Sequence, residues 1–133
     1  MNRGRLAIHD FMTKMPHSIG LEQTLKTAHE VMLRHHIRHL PVLHGGKLVG
    51  LISERDIGLV EALKDVDPAS VTVEEAMSPI VYTVEPKTPL AEVVRHMAMH
   101  KQGSALVVEG TKVVGIFTAI DALIAFAGFL DER

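Results

Sequence analysis

The sequence repeats itself at a fixed interval of 65 residues. Between positions 12 and 59 this alignment needs no gap, and ten positions are identical where composition alone predicts about three. The identical pairs include Met12/Met77, His35/His100, Gly50/Gly115 and Asp56/Asp121. We therefore divide the 133 residues into two copies of one unit, residues 1–65 and residues 66–133.

Hydrophobic periodicity predicts the same α+β pattern, βαββα, in both copies. Apolar residues at helical spacing predict a helix with one buried face, at Leu25, Ala28 and Met32 and again at Leu90, Val93 and Met97. Two apolar runs joined by Gly-containing turns then predict a β-hairpin, and a second helix begins at Ser53 or Thr118. We expect the opening strands at Leu6–Ile8 and Val71–Val73.

A unit of this size is marginally stable alone, because about 60 residues bury only about 60% of their unfolded surface. We therefore expect the copies to pack face to face as a pseudo-twofold pair. Such packing creates two equivalent clefts, and ligand pockets form preferentially at interfaces of this kind.

Composition excludes several classes of function. Cysteine is absent, so disulfides, thiolate nucleophiles and cysteine-based zinc sites are excluded. The N-terminus has no apolar core of signal-peptide length, and the longest apolar run, residues 122–130, is too short for a membrane span. These features predict a cytoplasmic protein that does not interact with membranes.

Charge argues against a nucleic-acid partner. The net charge is -2, and the locally basic stretch from Arg34 to Arg55 contains no Phe, Tyr or Trp on which bases could stack.

The motif Gly-x-x-Ser/Thr-x-x-Asp ends the hairpin of each copy, as Gly50…Ser53…Asp56 and Gly115…Thr118…Asp121. One interpretation is a helix-capping box, in which the hydroxyl and the acid cap each other's backbone amides. The other is functional: a helix N-terminus favours phosphate, and a nearby carboxylate accepts hydrogen bonds from a ribose. The two roles are compatible, and the spacing alone leaves both open.

The repeat, the approach Ile37-Arg38-His39-Leu40-Pro41-Val42 and this exit motif together resemble cystathionine-β-synthase (CBS) domains over nearly the whole chain. The resemblance implies a tandem pair, called a Bateman module, that binds AMP, ADP, ATP or S-adenosylmethionine in clefts between the repeats. It implies no required cofactor; the adenine nucleotide is a ligand.

The same resemblance assigns roles to individual residues. One cleft would hold ribose on Asp56 and phosphate on Ser53 and Arg38, facing residues around Gly103, Ser104 and Ala119. The other would use Asp121 and Thr118, facing His39 and Arg55. Ile19 and Val84 are either adenine neighbours or plain core.

The two copies differ where charge matters. Arg38-His39 is replaced by Gly103-Ser104, and Glu54-Arg55 by Ala119-Ile120. The Pro that the family pattern places in the hairpin is present as Pro41 but is Leu106 in the second copy. We therefore expect two similar clefts with unequal affinity for an anionic ligand.

Other functions have weaker support. His35 and His39 share a helix face only if the helix continues past Ile37, so we expect no metal site. Neither a P-loop nor a GxGxxG motif occurs, and no catalytic constellation is evident, so we expect a non-enzyme that acts on an effector protein encoded elsewhere.

The C-terminal helix is apolar nearly all round, which predicts a homodimer that buries Phe126, Phe129 and Leu130. The alternative to a ligand sensor is a structural or protein-interaction module with empty clefts, dimerising through its helices.

Overall fold

The computed structural model describes residues 5–132; the first four residues of the N-terminal stretch considered above lie outside it. The fold is α+β, as the sequence predicts. In chain order its elements are a 3-10 helix Ile8–Asp10, β1 Thr13–Lys14, β2 Ile19–Gly20, α1 Leu25–His35, β3 His39–His44, β4 Lys47–Ser53, α2 Glu54–Glu61, a 3-10 helix Pro68–Ser70, α3 Val73–Ala76, β5 Thr83–Val84, α4 Leu90–His100, β6 Ser104–Glu109, β7 Lys112–Thr118 and α5 Ala119–Asp131.

The chain forms two compact units. We call residues 17–81 the first-repeat unit, and residues 5–16 with 82–132 the second-repeat unit. The first-repeat unit contains a three-stranded sheet in the order β2-β3-β4, with β2 parallel and β4 antiparallel to the central β3. The second-repeat unit contains a four-stranded sheet in the order β1-β7-β6-β5.

The predicted helices and hairpins are confirmed. The faces of α1 and α4 that carry the periodic apolar residues are buried, and Leu25, Ala28 and Val93 are fully inaccessible. The hairpin β3–β4 turns through Gly45 and Gly46, whose φ angles of 58° and 81° suit glycine because a side chain there would be strained.

The prediction for the opening strands is wrong. The chain at Ile8 enters a 3-10 helix, and Val73 begins α3; only the isolated bridges Ala7–Pro89 and Thr24–Thr72 form there. The local reason in the second case is a capping box, in which the Thr72 hydroxyl accepts from the Glu75 amide at 3.3 Å and the Glu75 carboxylate accepts from the Thr72 amide at 3.2 Å. The strands that open the βαββα pattern are β2 and β5.

Each compact unit is completed by the leading segment of the other sequence repeat. Ile8 is fully buried in the core of the second-repeat unit, and its equivalent Val73 is fully buried in the core of the first-repeat unit. The Leu90 amide donates to the Leu6 carbonyl at 2.7 Å, and the Leu25 amide donates to the Val71 carbonyl at 2.9 Å. The boundaries of the compact units therefore differ from those of the sequence repeats.

The duplicated Met and Gly residues contact each other in both units. A Cβ atom on Gly50 would lie 2.6 Å from Sδ of Met77, and one on Gly115 would overlap Met12. The methionine that leads one repeat thus packs against the glycine of the hairpin in the other, which requires a residue without a side chain there.

Candidate functional site

The exit motif of the first repeat forms a tight capping box at the start of α2. The Ser53 amide and hydroxyl both donate to Oδ2 of Asp56, at 2.8 and 2.9 Å, and the Asp56 amide donates to the Ser53 hydroxyl at 3.1 Å. The capping interpretation of this motif is therefore confirmed.

The second repeat forms the same box with longer bonds. The Thr118 amide donates to Oδ2 of Asp121 at 2.9 Å, but the Thr118 hydroxyl bond and the Asp121 amide bond are 3.3 and 3.4 Å long. The extra methyl group of threonine is the chemical difference between the two boxes.

The amides at the two helix starts are largely occupied by the protein itself. Besides the capped amides of Ser53 and Asp56, the Glu54 amide donates to the Arg38 carbonyl at 2.8 Å. In the second repeat the Ala119 amide donates to the Gly103 carbonyl at 3.0 Å. An anion at either helix start would therefore depend on side chains more than on backbone amides.

The two acids differ in their second carboxylate oxygen. Oδ1 of Asp121 accepts a 3.4 Å hydrogen bond from the Thr13 hydroxyl. Within residues 5–132, Oδ1 of Asp56 has no hydrogen-bond donor, because the residue equivalent to Thr13, Ser78, donates instead to the Ile80 carbonyl at 3.1 Å. Asp56 thus presents an open acceptor oxygen, while Asp121 is partly engaged.

Three basic residues occupy positions that adjoin the start of α2. His39 pairs with Ser53 across β3 and β4, Arg38 directly precedes it, and Arg55 lies in the first turn of α2. Arg38 and Arg55 are exposed and His39 is half-buried. In the part of the chain that the structure describes, Arg38 forms no ion pair with Asp56, so the cations and the open carboxylate oxygen do not neutralise each other directly.

Burial lowers the pKa of His39 below its ordinary value of 6.5. The nearby Asp56 carboxylate opposes this pKa shift, Arg38 reinforces it, and Glu54 opposes it more weakly. His39 is therefore mainly neutral at pH 7, and a further negative charge beside it would favour its protonated form.

The start of α5 in the second repeat has the same backbone arrangement as the start of α2, but it lacks the basic residues. Ser104 pairs with Thr118 across β6 and β7 and is buried, while Gly103 is exposed and supplies its carbonyl to α5. Asp121 also lines a groove of about 580 Å³ with Leu6, Phe11 and Ile124. These three apolar groove residues were not predicted. Residues 6 and 11 reach α5 only because the leading segment of the first sequence repeat packs in the second-repeat unit.

The remaining candidates lie in the cores. Ile19 and Val84 are 7% and 8% exposed and belong to the cores of their own units. Pro41 is buried in the central strand β3, opposite Leu51. Apolar contact with a ligand would have to use the small exposed edges of these side chains.

The histidines do not form a metal cluster. Helix α1 ends at His35 and His36 takes the left-handed conformation, so His39 lies on a strand, as expected from the sequence. Among residues 5–132 no group of three or more His, Asp or Glu side chains is placed to hold a metal ion. The same residues contain no helix with the length and apolar character needed to cross a bilayer.

Two βαββα units, each with a capped Gly-x-x-Ser/Thr-x-x-Asp exit, define a class of proteins built from paired repeats. The family model of the CBS domain matches residues 8–57 and 73–128. The chain therefore belongs to the CBS domain family.

Known proteins are similar over most of this chain. The crystal structure of the CBS domain pair of protein MJ0100, in complex with 5'-methylthioadenosine and S-adenosyl-L-methionine, has a TM-score of 0.84 and 30% identity, and the match covers 92% of this chain and 97% of that one. The CBS domain-containing protein YhcV of Bacillus subtilis is 28% identical over 83% of this chain and 78% of its own length.

An enzyme is also among the relatives. The L-aspartate semialdehyde sulfurtransferase of Methanocaldococcus jannaschii is 30% identical over 91% of this chain, but the match spans only 23% of the enzyme.

Proposed function

We propose that this protein is a regulatory module that binds an adenosine-containing ligand and performs no catalysis of its own. The observation that carries the proposal is the open Oδ1 of Asp56 at a helix start whose adjoining positions carry three basic residues, Arg38, His39 and Arg55. A carboxylate oxygen with no competing donor accepts hydrogen bonds from ribose hydroxyls, and adjacent cations attract phosphate.

The similarity to a CBS domain pair that binds S-adenosyl-L-methionine and 5'-methylthioadenosine supports an adenosine-containing ligand. The charge of the first repeat favours the phosphorylated members of this group, AMP, ADP or ATP, because neutral methylthioadenosine and cationic S-adenosylmethionine gain nothing from Arg38 and Arg55.

The test is a calorimetric screen of AMP, ADP, ATP, NAD, methylthioadenosine and S-adenosylmethionine. We expect saturable heat with at least one compound and its loss in Asp56→Ala. Because Asp56→Ala also removes the N3 acid of a helix capping box, the matched control is Glu75→Ala, which removes the corresponding acid at the start of α3 and leaves the candidate ligand residues intact. Absence of heat with every compound would contradict the proposal.

The protonation of His39 gives a second readout. Because the pKa of His39 is lowered in the free protein, a phosphate group bound beside it would raise that pKa and take up a proton. At pH near 6.5 the binding enthalpy of AMP should then vary with the ionisation enthalpy of the buffer, and this variation should disappear in His39→Ser. Unphosphorylated adenosine should show no such variation.

A second candidate function is self-association through α5. Ile120, Leu123, Ile124, Phe126 and Leu130 are between 49% and 66% exposed, and no residue of this helix is fully buried. Phe129 differs from the expectation: its ring packs edge-to-face on Phe11 at 5.9 Å between centroids, within one unit. A dimer would therefore use Phe126 and Leu130 more than Phe129.

Sedimentation at micromolar concentration tests this candidate. We expect a dimer for the native chain and a monomer for Phe126→Glu, with Phe129→Leu retaining the dimer. A native chain that sediments as a monomer would exclude self-association. The effector that responds to the ligand would then be a different protein.

A further inference from the structure

The chain that leads into β2 is held by two stacked histidine rings. His17 precedes β2, and His35 is the last residue of α1. Their ring centroids are 3.6 Å apart and their planes differ by 16°. This contact ties the start of the strand to the end of the helix within the first-repeat unit.

The equivalent position in the second-repeat unit is held in a different way. Tyr82 stands where His17 stands in the first, and its carbonyl accepts a 2.9 Å hydrogen bond from the Leu106 amide. The residue equivalent to Leu106 is Pro41, which has no amide hydrogen to donate. The first-repeat unit therefore lacks this backbone hydrogen bond, and the contact at that position is the stack of the exposed His17 and His35 rings.

The groups that act electrostatically on His35 are all basic. They are His17 from the segment before β2, Arg34 from α1 and His36 at the helix C-cap. Loss of water contact lowers the pKa of His35, and these three groups lower that pKa further. None of the carboxylates in residues 5–132 contributes to the shift, so among these residues only the C-terminal end of the α1 dipole offsets a positive charge there.

We propose that the His17–His35 stack is a proton-sensitive clamp, which holds the chain entering β2 at neutral pH and releases it when His35 is protonated. A positive charge on His35 lies among three basic groups, with the centroid of the His17 ring only 3.6 Å away, so separation of the two rings relieves the repulsion. Release acts first on β2, whose two residues pair with Val42 and Leu43.

The second-repeat unit is the internal control for this clamp. Tyr82 stacks on His96 at 3.7 Å, and His96 stacks on His100 at 4.0 Å, so titratable imidazoles are present there too. Tyr82, however, stays uncharged, because burial and the nearby Glu92 raise its pKa above the ordinary 10.0. Its backbone also keeps the bond from Leu106, and acid therefore does not release the chain entering β5.

Amide hydrogen exchange resolves the two units. The reporter for β2 is the Leu21 amide, which donates to the Leu43 carbonyl at 3.1 Å, and the reporter for β5 is the Leu106 amide. After correction for intrinsic chemistry, we expect Leu21 to exchange at least tenfold faster at pH 5 than at pH 7.5, and Leu106 to stay within twofold, a tenfold change corresponding to one pKa unit of coupling.

Two variants test the mechanism from opposite sides. His17→Tyr copies the second repeat and should keep Leu21 protected at both pH values, while His35→Gln removes the stack and should leave Leu21 fast at both. His44→Gln, at the exposed end of β3, is the control and should behave like the native chain. Equal protection of Leu21 at both pH values in the native chain would overturn the proposal, as would an unchanged pH response in His17→Tyr.

Discussion

The starts of α2 and α5 have almost the same backbone and different chemistry. Both helices follow a hairpin and begin with a capping box. In both, the first helical amide donates to the carbonyl of the residue directly before the hairpin, which is Arg38 or Gly103. Around α2 lie Arg38, His39 and Arg55, and Oδ1 of Asp56 is open; around α5 these cations are missing and Thr13 contacts Oδ1 of Asp121. Duplication thus preserved the scaffold, while side chains at four positions, including Glu54 and its equivalent Ala119, determined the charge.

The largest expected difference between the repeats is in the two acids. Asp56→Ala should weaken binding of the preferred nucleotide roughly 10- to 150-fold, because a hydrogen bond to a charged group contributes about 1.5–3 kcal/mol. Asp121→Ala should change the affinity of the same site by less than about threefold.

Both variants lose the N3 acid of a helix capping box while the N-cap hydroxyl remains, so their stabilities should fall alike, by about 1 kcal/mol. Calorimetric titration together with urea unfolding separates the two effects. Equal losses of affinity in both variants would show that the repeats contribute equally and would contradict the asymmetry.

The two glycines at the Met contacts are expected to be equivalent. Gly50→Ala and Gly115→Ala should each lower the free energy of unfolding by about 1–3 kcal/mol, because the new methyl group overlaps Met77 or Met12. Gly58→Ala is the control: nothing lies within 4 Å of its Cβ, and alanine in a helix should stabilise by about 0.5–1 kcal/mol. Urea unfolding measures the free energy of unfolding of all three variants. An unchanged free energy in Gly115→Ala would show that the packing of the Met12 segment on Gly115 contributes little to stability.

Exchanging the charges between the repeats tests whether side chains alone cause the difference. Arg38→Gly combined with Arg55→Ile gives the first repeat the residues of the second at these two positions. The double variant should bind AMP about tenfold more weakly and adenosine with unchanged affinity. A tenfold change is about 1.4 kcal/mol, a modest loss for two phosphate contacts.

The reciprocal change, Gly103→Arg with Ile120→Arg, places cations on two exposed positions of the second repeat. It should add a salt-sensitive second site for AMP in the same titration. If neither exchange altered the preference for phosphate, the charges at these positions would not be the source of the asymmetry.

The smallest expected effect is on stability in mild acid. The pKa of His39 is lower in the folded protein than its ordinary value of 6.5, so the unfolded chain binds this proton more readily. The stabilising contribution is therefore complete above pH 6.5 and is lost as the pH falls from 6.5 through the lowered pKa. Urea midpoints between pH 7.5 and 5 should fall less steeply in His39→Ser than in the native chain, and a steeper fall would reverse the inferred sign.

Much of the candidate site was predictable from the sequence because its geometry is local. Ser53 and Asp56 are three residues apart, so helix geometry alone brings their side chains and amides together. The hairpin register then places His39 opposite Ser53. The contact between Thr13 and Asp121 was not predictable, because these residues are 108 positions apart and no periodicity relates them.

The sequence by itself determined the duplication, the helices α1 and α4, the hairpins, the caps of α2 and α5 and the unequal charges, since each depends on neighbours within a few residues or on composition. Only the tertiary structure decided which segments complete each unit. Leu6–Ile8 and Val71–Val73 have the composition of strands, but their backbones bond to Thr88, Leu90 and Leu25 and their side chains enter the core of the other repeat's hairpin. That choice depends on which buried surface is available to a segment, and hydrophobic pattern alone does not specify the partner.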